Sequence, residues 1–190
     1  MPPGARTLLA GRAEVNRVPA RYALFGDAGD GGACAERARR AGWRPLRVPS
    51  ATGGGVRVRA FARGSERLLL AWPAGGPGRV ALARFAGALP ELPPAGDAPG
   101  REPAGVPRPP GSRRLLHVAG DGFEAAWYRA AASPRELARR SAARLVAAGW
   151  RVASPGATAL VAARAGGRPV TLVTEADGDG AAAFVLAAAE

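Results

Sequence analysis

The tetrapeptide Ala-Gly-Trp-Arg occurs twice, at 41–44 and at 148–151, and this recurrence constrains the fold more than any other feature of the chain. Trp43 and Trp150 stand 107 residues apart, and the same step separates Gly4 from Gly111, in PPGAR at 2–6 and PPGSR at 109–113. A third pair, ARGSER at 62–67 and ARAGGR at 163–168, is 101 residues apart, so the second copy has lost a little loop. Landmarks that share an offset point to one unit written twice. A chain of 190 residues gives each copy only a modest core.

The second copy carries the clearer local signals. In SPRE at 133–136, Ser133 is placed to cap a helix, Pro134 to occupy its first position, and Glu136 to reach back to the cap. Leu137, Ser141, Ala142 and Leu145 then recur at helical spacing on one face, with Glu136 and Arg140 paired at i,i+4 on the other. Gly149 is the expected left-handed stop, and Trp150 the residue whose ring covers Leu145. Gly-Trp therefore reads as a helix stop with a hydrophobic cover, leading into a strand. In the first copy GDAGDGG at 26–32 stands where the capping box would be, which shortens the helix to about Ala33–Ala41 before Gly42 and Trp43 end it.

Around each helix lie stretches of strand character. RTLLAG and RYALF precede the first, RRLLHVAG and FEAAWYRAA the second. VRVRAFAR, RLLLAW and RVALARF follow the first, with GGPG as a turn, and ATALVAAR, RPVTLVTEA and AAAFVL follow the second. The expected fold class is α+β: two tandem pseudo-repeats of pattern β-β-α-β-β-β, each an antiparallel sheet with one helix packed on it. The first repeat spans 1–88 and the second 109–190. Between them, 89–108 is rich in proline, at 90, 93, 94, 99, 103 and 107, and reads as an extended linker.

The formal net charge of +12 suggests an anionic partner. All 27 basic residues are arginine, however, and the chain has no Lys, Ile or Gln, a bias expected of a GC-rich bacterial genome. A single cysteine, Cys34, cannot form an intramolecular disulfide, and one histidine, His117, leaves no standard zinc ligand set. Cys34 is expected on the inward helix face as a small hydrophobe. No apolar run approaches the roughly 20 residues of a membrane span. The chain opens directly on a repeat landmark; a lost upstream leader would imply a periplasmic location, and otherwise the location is cytoplasmic.

Tests for chemistry mostly fail. FGDAGDGGA lacks the G-x-G-x-x-G spacing, and Asp27 and Asp30 would repel a phosphate. EADGDG at 175–180 resembles half a calcium loop, but Leu186 stands where the closing carboxylate belongs, so a hairpin turn is expected. His117 sits in an alternating strand with no triad pattern beside it. No catalytic residue, cofactor or metal site is expected, and the chain reads as a non-enzyme. One candidate anion- or partner-binding face remains: Arg57, Arg59, Phe61 and Arg63, which strict alternation puts on one side of VRVRAFAR, as in proteins that stack bases between cations.

The order of landmarks, a PPG start, an aromatic strand such as AWYRA, then SPRELARRSAARLVAAGW and three short strands, resembles a pattern in small uncharacterised proteins of the Gram-negative envelope. That resemblance implies a helix-gripping sheet used for protein contacts, and no catalytic residues. The expected function is a non-catalytic binding or scaffolding protein, an envelope or secretion accessory that contacts a protein partner or an anionic surface. The alternative is a nucleic-acid-binding module using the Arg/Phe face.

Overall fold

The computed structural model describes residues 5–26, 31–47, 56–73, 80–90 and 95–188. The expectations for Gly4, for Asp27 and Asp30, and for GGPG at 75–78 lie outside the described residues. The chain is a mixed α+β protein with antiparallel strand pairing, and it divides into two compact units. The first comprises Met1–Ala13 and Val18–Pro90, the second Glu14–Arg17 and Glu91–Glu190.

The first unit contains β1 (Arg6–Val15, whose last two residues belong with the second unit), β2 (Val18–Gly26), α1 (Gly31–Arg40), β3 (Arg44–Leu46), β4 (Val56–Arg63), β5 (Glu66–Pro73) and β6 (Val80–Phe85). Its strands lie in the order β3-β4-β5-β6-β2-β1. One sheet face gathers Phe25, Phe61, Leu68, Leu70, Trp72 and Val80 against Ala35 and Ala38 of α1 and the ring of Trp43. α1 begins two residues before the expected Ala33, and Gly31 shows why. A Cβ there would fall 2.1 Å from Cγ of Trp72, so only glycine lets the helix start against that ring.

The second unit contains β7 (Ser112–Gly120), β8 (Phe123–Ala130), α2 (Pro134–Ala147), β9 (Arg151–Gly156), β10 (Ala159–Ala163), β11 (Val170–Asp177) and β12 (Gly180–Ala188), in the order β7-β8-β12-β11-β10-β9. α2 lies across β9 to β12 and buries Leu137, Ala138, Ser141 and Leu145. Leu160, Leu172, Val170, Val185 and Tyr128 complete the core beneath it.

Among the described residues each helix is followed by four strands, one more than the sequence pattern counted. The additional strands, β3 and β9, come directly after the Gly-Trp stops and are the outermost of their units. β3 is three residues with Pro45 at its centre, and β9 runs out through Pro155 and Gly156. Neither offers a run of alternation to read, and both are of the kind that ends a sheet without inviting further pairing.

Both helix stops have the Schellman geometry that Gly-Trp implied. Gly149 N–H donates to Val146 O at 2.9 Å and Trp150 N–H to Leu145 O at 3.0 Å, with Gly149 at φ +81°. In the first unit Gly42 N–H donates to Arg39 O and Trp43 N–H to Ala38 O, each at 3.0 Å, with Gly42 at φ +83°. At the start of α2, Ser133 Oγ accepts from Glu136 N–H at 3.3 Å. The Glu136 carboxylate does not close the expected box: Arg139 Nε holds it at 2.8 Å and Arg140 Nε at 2.6 Å, because two guanidiniums one turn on compete for it better than a single backbone N–H.

The stretch read as a linker also differs. Residues 95–108 fold back onto the second unit as a strap, with Ala98, Val106 and Pro103 buried and a 3-10 turn at Pro103–Gly105. Proline's fixed φ makes the strap stiff, and hydrogen bonds to β7 give it an address: Ala98 N–H donates to Arg114 O, and Arg114 N–H donates to Asp97 Oδ1, each at 2.8 Å.

Candidate functional site

The Arg/Phe face is not available as a stacking surface. On β4, Arg57 pairs with Trp72, Arg59 with Leu70 and Phe61 with Leu68, and cross-strand partners share a face. Those partners are core residues, so this face is the one turned toward α1. Phe61 is 1% exposed and closed to any ring from outside. Arg57 and Arg59 are exposed at the margin of the core face, where long stems reach water past apolar neighbours. Arg63 is engaged: its guanidinium lies 4.6 Å from the centre of the Trp43 ring and donates to Glu66 at 3.2 Å.

The tryptophans of the two stops have the same kind of cover. Arg164 lies 4.8 Å over Trp150, as Arg63 lies over Trp43, and these are the arginines that ARGSER and ARAGGR align. Each guanidinium also reaches the end of its helix, Arg164 donating to Ala148 O at 2.9 Å and Arg63 to Ala41 O at 3.4 Å. Cation, indole and terminal carbonyl thus close one helix end together. These sites are structural.

The densest polar constellation lies under the strap. Glu102 accepts from Arg108 Nε at 2.9 Å, from Arg114 Nη1 at 2.9 Å and from the hydroxyl of Tyr128. Arg114, itself buried, also donates to Ala98 O and Gly100 O, each at 3.0 Å. Burial and then the Glu102 carboxylate push the Tyr128 hydroxyl's pKa upward, so it stays a donor. The backbone N–H of Arg114, helped by Arg108, holds Asp97 below the usual carboxylate range. Glu124, almost fully buried, receives Arg101 Nε at 2.8 Å. Every charge here has a partner within the unit, which is the chemistry of a clamp.

On the face of the second unit's strands turned away from α2, two cross-strand rows run over five strands. One is Ala159, Val173, Phe184, Trp127 and Leu116; the other is Val161, Thr171, Leu186, Ala125 and Val118. Val161, Val173, Phe184 and Leu186 are each about two-fifths exposed, the figures being 38%, 40%, 42% and 39%. Glu175, at one end of this face, has its carboxyl pKa raised by burial and by the neighbouring Asp177. Apolar residues at both parities of TLVTEA and AFVLA were the signal for this second face.

EADGDG forms the β11–β12 hairpin turn, with Gly178 at φ +62°. Arg129 lies 3.3 Å from Asp177 and 3.6 Å from Asp179, as a counter-charge beside the turn. Beside it a shallow concavity is lined by Arg113, Arg129, Asp179 and neighbouring backbone. Cys34 is half-buried and packs on the first core. Among the described residues no three His, Cys, Asp or Glu side chains converge as a metal site, and no helix is long and apolar enough to cross a membrane. Comparison with protein-family models, with curated proteins and with solved structures gives no match.

Proposed function

We propose that the chain is a non-catalytic binding or scaffolding protein, built from two tandem copies of one α+β unit, and that a protein partner docks on the open sheet face of the second unit. Duplication is supported by the corresponding strand orders within the units, β1-β2-β6-β5-β4-β3 and β7-β8-β12-β11-β10-β9, and by the paired Gly-Trp stops with their stacked arginines. The docking reading is carried by one observation: Val161, Val173, Phe184 and Leu186 are exposed together, in register, with Trp127 between Phe184 and Leu116. Contiguous apolar surface of this kind is a cost in water that a partner removes, and aromatic residues at its centre supply anchoring contacts. An accessory role in the envelope rests on the resemblance alone.

The experiment compares the full chain with a Val173→Thr/Phe184→Ser variant as bait in extract from the native organism. The expected result is a defined protein retained by the parent chain and lost with the variant, at an unchanged urea midpoint. Equal retention by both overturns the docking face. Titration of a single-stranded oligonucleotide against salt tests the nucleic-acid alternative, for which affinity must fall log-linearly with salt and with Arg57→Ala/Arg59→Ala.

A further inference from the structure

His117 is the buried titratable group that the docking face leaves unused. The chain's only imidazole projects from β7 beneath the strap, is 5% exposed, and its Nε2 has no hydrogen-bond partner. Gly100 of the strap, at φ +134°, is pressed against it: a Cβ there would fall 2.6 Å from both Cβ and Cγ of His117. The strand beneath is fixed. His117 N–H donates to Asn16 Oδ1, and Asn16 N–H donates to His117 O, both at 2.8 Å. Of the two layers that enclose the ring, the strap meets it through the Cα of Gly100, with Gly100 O held by Arg114 at 3.0 Å and Arg101 by Glu124 at 2.8 Å on either side of the contact.

We propose that residues 95–108 form an acid-released latch, held shut over a neutral His117 and lifted at Gly100 when the ring takes up a proton. The charged groups around the ring are Glu124 on β8, Arg114 on β7 itself, and Arg101 and Glu102 on the strap. Burial lowers the imidazole's pKa most; Glu124 opposes it, while Arg114 and Arg101 add to it. With the strap lifted the ring returns toward its ordinary value of 6.5. The closed form is therefore favoured above pH 6.5 and is lost progressively as pH falls through the lowered value. Each unit of separation between the two states multiplies the open population about tenfold once the ring is charged. Asp97 stays ionised throughout this window, since its own pKa lies below 3.8, so release starts at Gly100 and precedes general acid unfolding.

The test uses the full chain. A single histidine gives one imidazole Cε1–H resonance to titrate, and hydrogen exchange on 95–108, corrected for intrinsic pH dependence, is compared with 134–147 in α2. The expected midpoint lies below 6.5, and protection of 95–108 falls between pH 7.5 and 5 while α2 keeps its own. His117→Leu should keep the strap protected at both pH values, and Gly100→Ala should open it at both. A midpoint at or above 6.5, equal strap protection at pH 7.5 and 5, or acid release surviving in His117→Leu overturns the latch. Should His117→Leu fail to fold, the parent chain's titration and exchange decide alone.

Discussion

Arg164 stacks on Trp150 at 4.8 Å and at the same time donates to Ala148 O at 2.9 Å, so one side chain covers the indole and neutralises the end of α2. A partly exposed cation over an indole contributes about 0.5–1 kcal/mol, and a cation at a helix C-terminus about 0.3–1 kcal/mol. Arg164→Ala should therefore lower stability by about 1 kcal/mol. Arg164→Lys should recover less than half of that, because an ammonium keeps the charge but not the planar stack. Arg63→Ala should cost about as much as Arg164→Ala, since its longer bond to Ala41 O, at 3.4 Å, is offset by its ion pair with Glu66. Urea midpoints of the four chains check the order.

Glu102 makes the second prediction. Its carboxylate joins Arg108, Arg114 and Tyr128, and Arg114 is buried. Glu102→Ala leaves that guanidinium without its counter-charge, which costs less than the roughly 3–5 kcal/mol of a fully buried pair because Glu102 is itself half-buried, and more than a surface pair. Tyr128→Phe removes one donor from a carboxylate that keeps two others, which costs about 1 kcal/mol. The strap should lose exchange protection in the first variant and retain most of it in the second. Equal losses would mean that the clamp is held by packing of Pro103 and Val106 instead.

Local geometry was legible in the sequence, and coverage was not. The Gly-Trp stops could be read because a Schellman turn needs a left-handed residue at one position and an apolar one at the next, both fixed by the chain itself. β4 begins at Val56 and ends at Arg63, as the alternation of VRVRAFAR implies. That alternation says which residues share a face but not which face a helix will cover, and so Phe61 goes into the core while Arg57 and Arg59 stay at its rim. The strap was missed for a related reason. Proline makes a segment stiff whether it spans solvent or lies on a sheet, and what decides is a set of distant partners, Tyr128 and Arg114, that no local pattern joins to Glu102.

The first turn of α2 supplies the pH prediction. Arg139 and then Arg140, both hydrogen-bonded to Glu136, hold its carboxyl at about 2, down from 4.5. A carboxylate with a depressed pKa contributes its full stabilisation above the unfolded value and loses it as pH falls through the folded one. The contribution of Glu136 is thus intact at pH 7 and declines between 4.5 and about 2. Glu136→Gln removes this part of the acid dependence, and the urea midpoint of the variant should fall less steeply than the parent's between pH 5 and pH 2. Glu66 and Asp97 are depressed in the same direction, by Arg84 and by the Arg114 backbone, so the slope should flatten without vanishing. Ser133 remains the N-cap in the variant, which keeps the helix start in place and isolates the charge. A parent and variant with parallel acid limbs would show that the two guanidiniums hold Glu136 no better than water does.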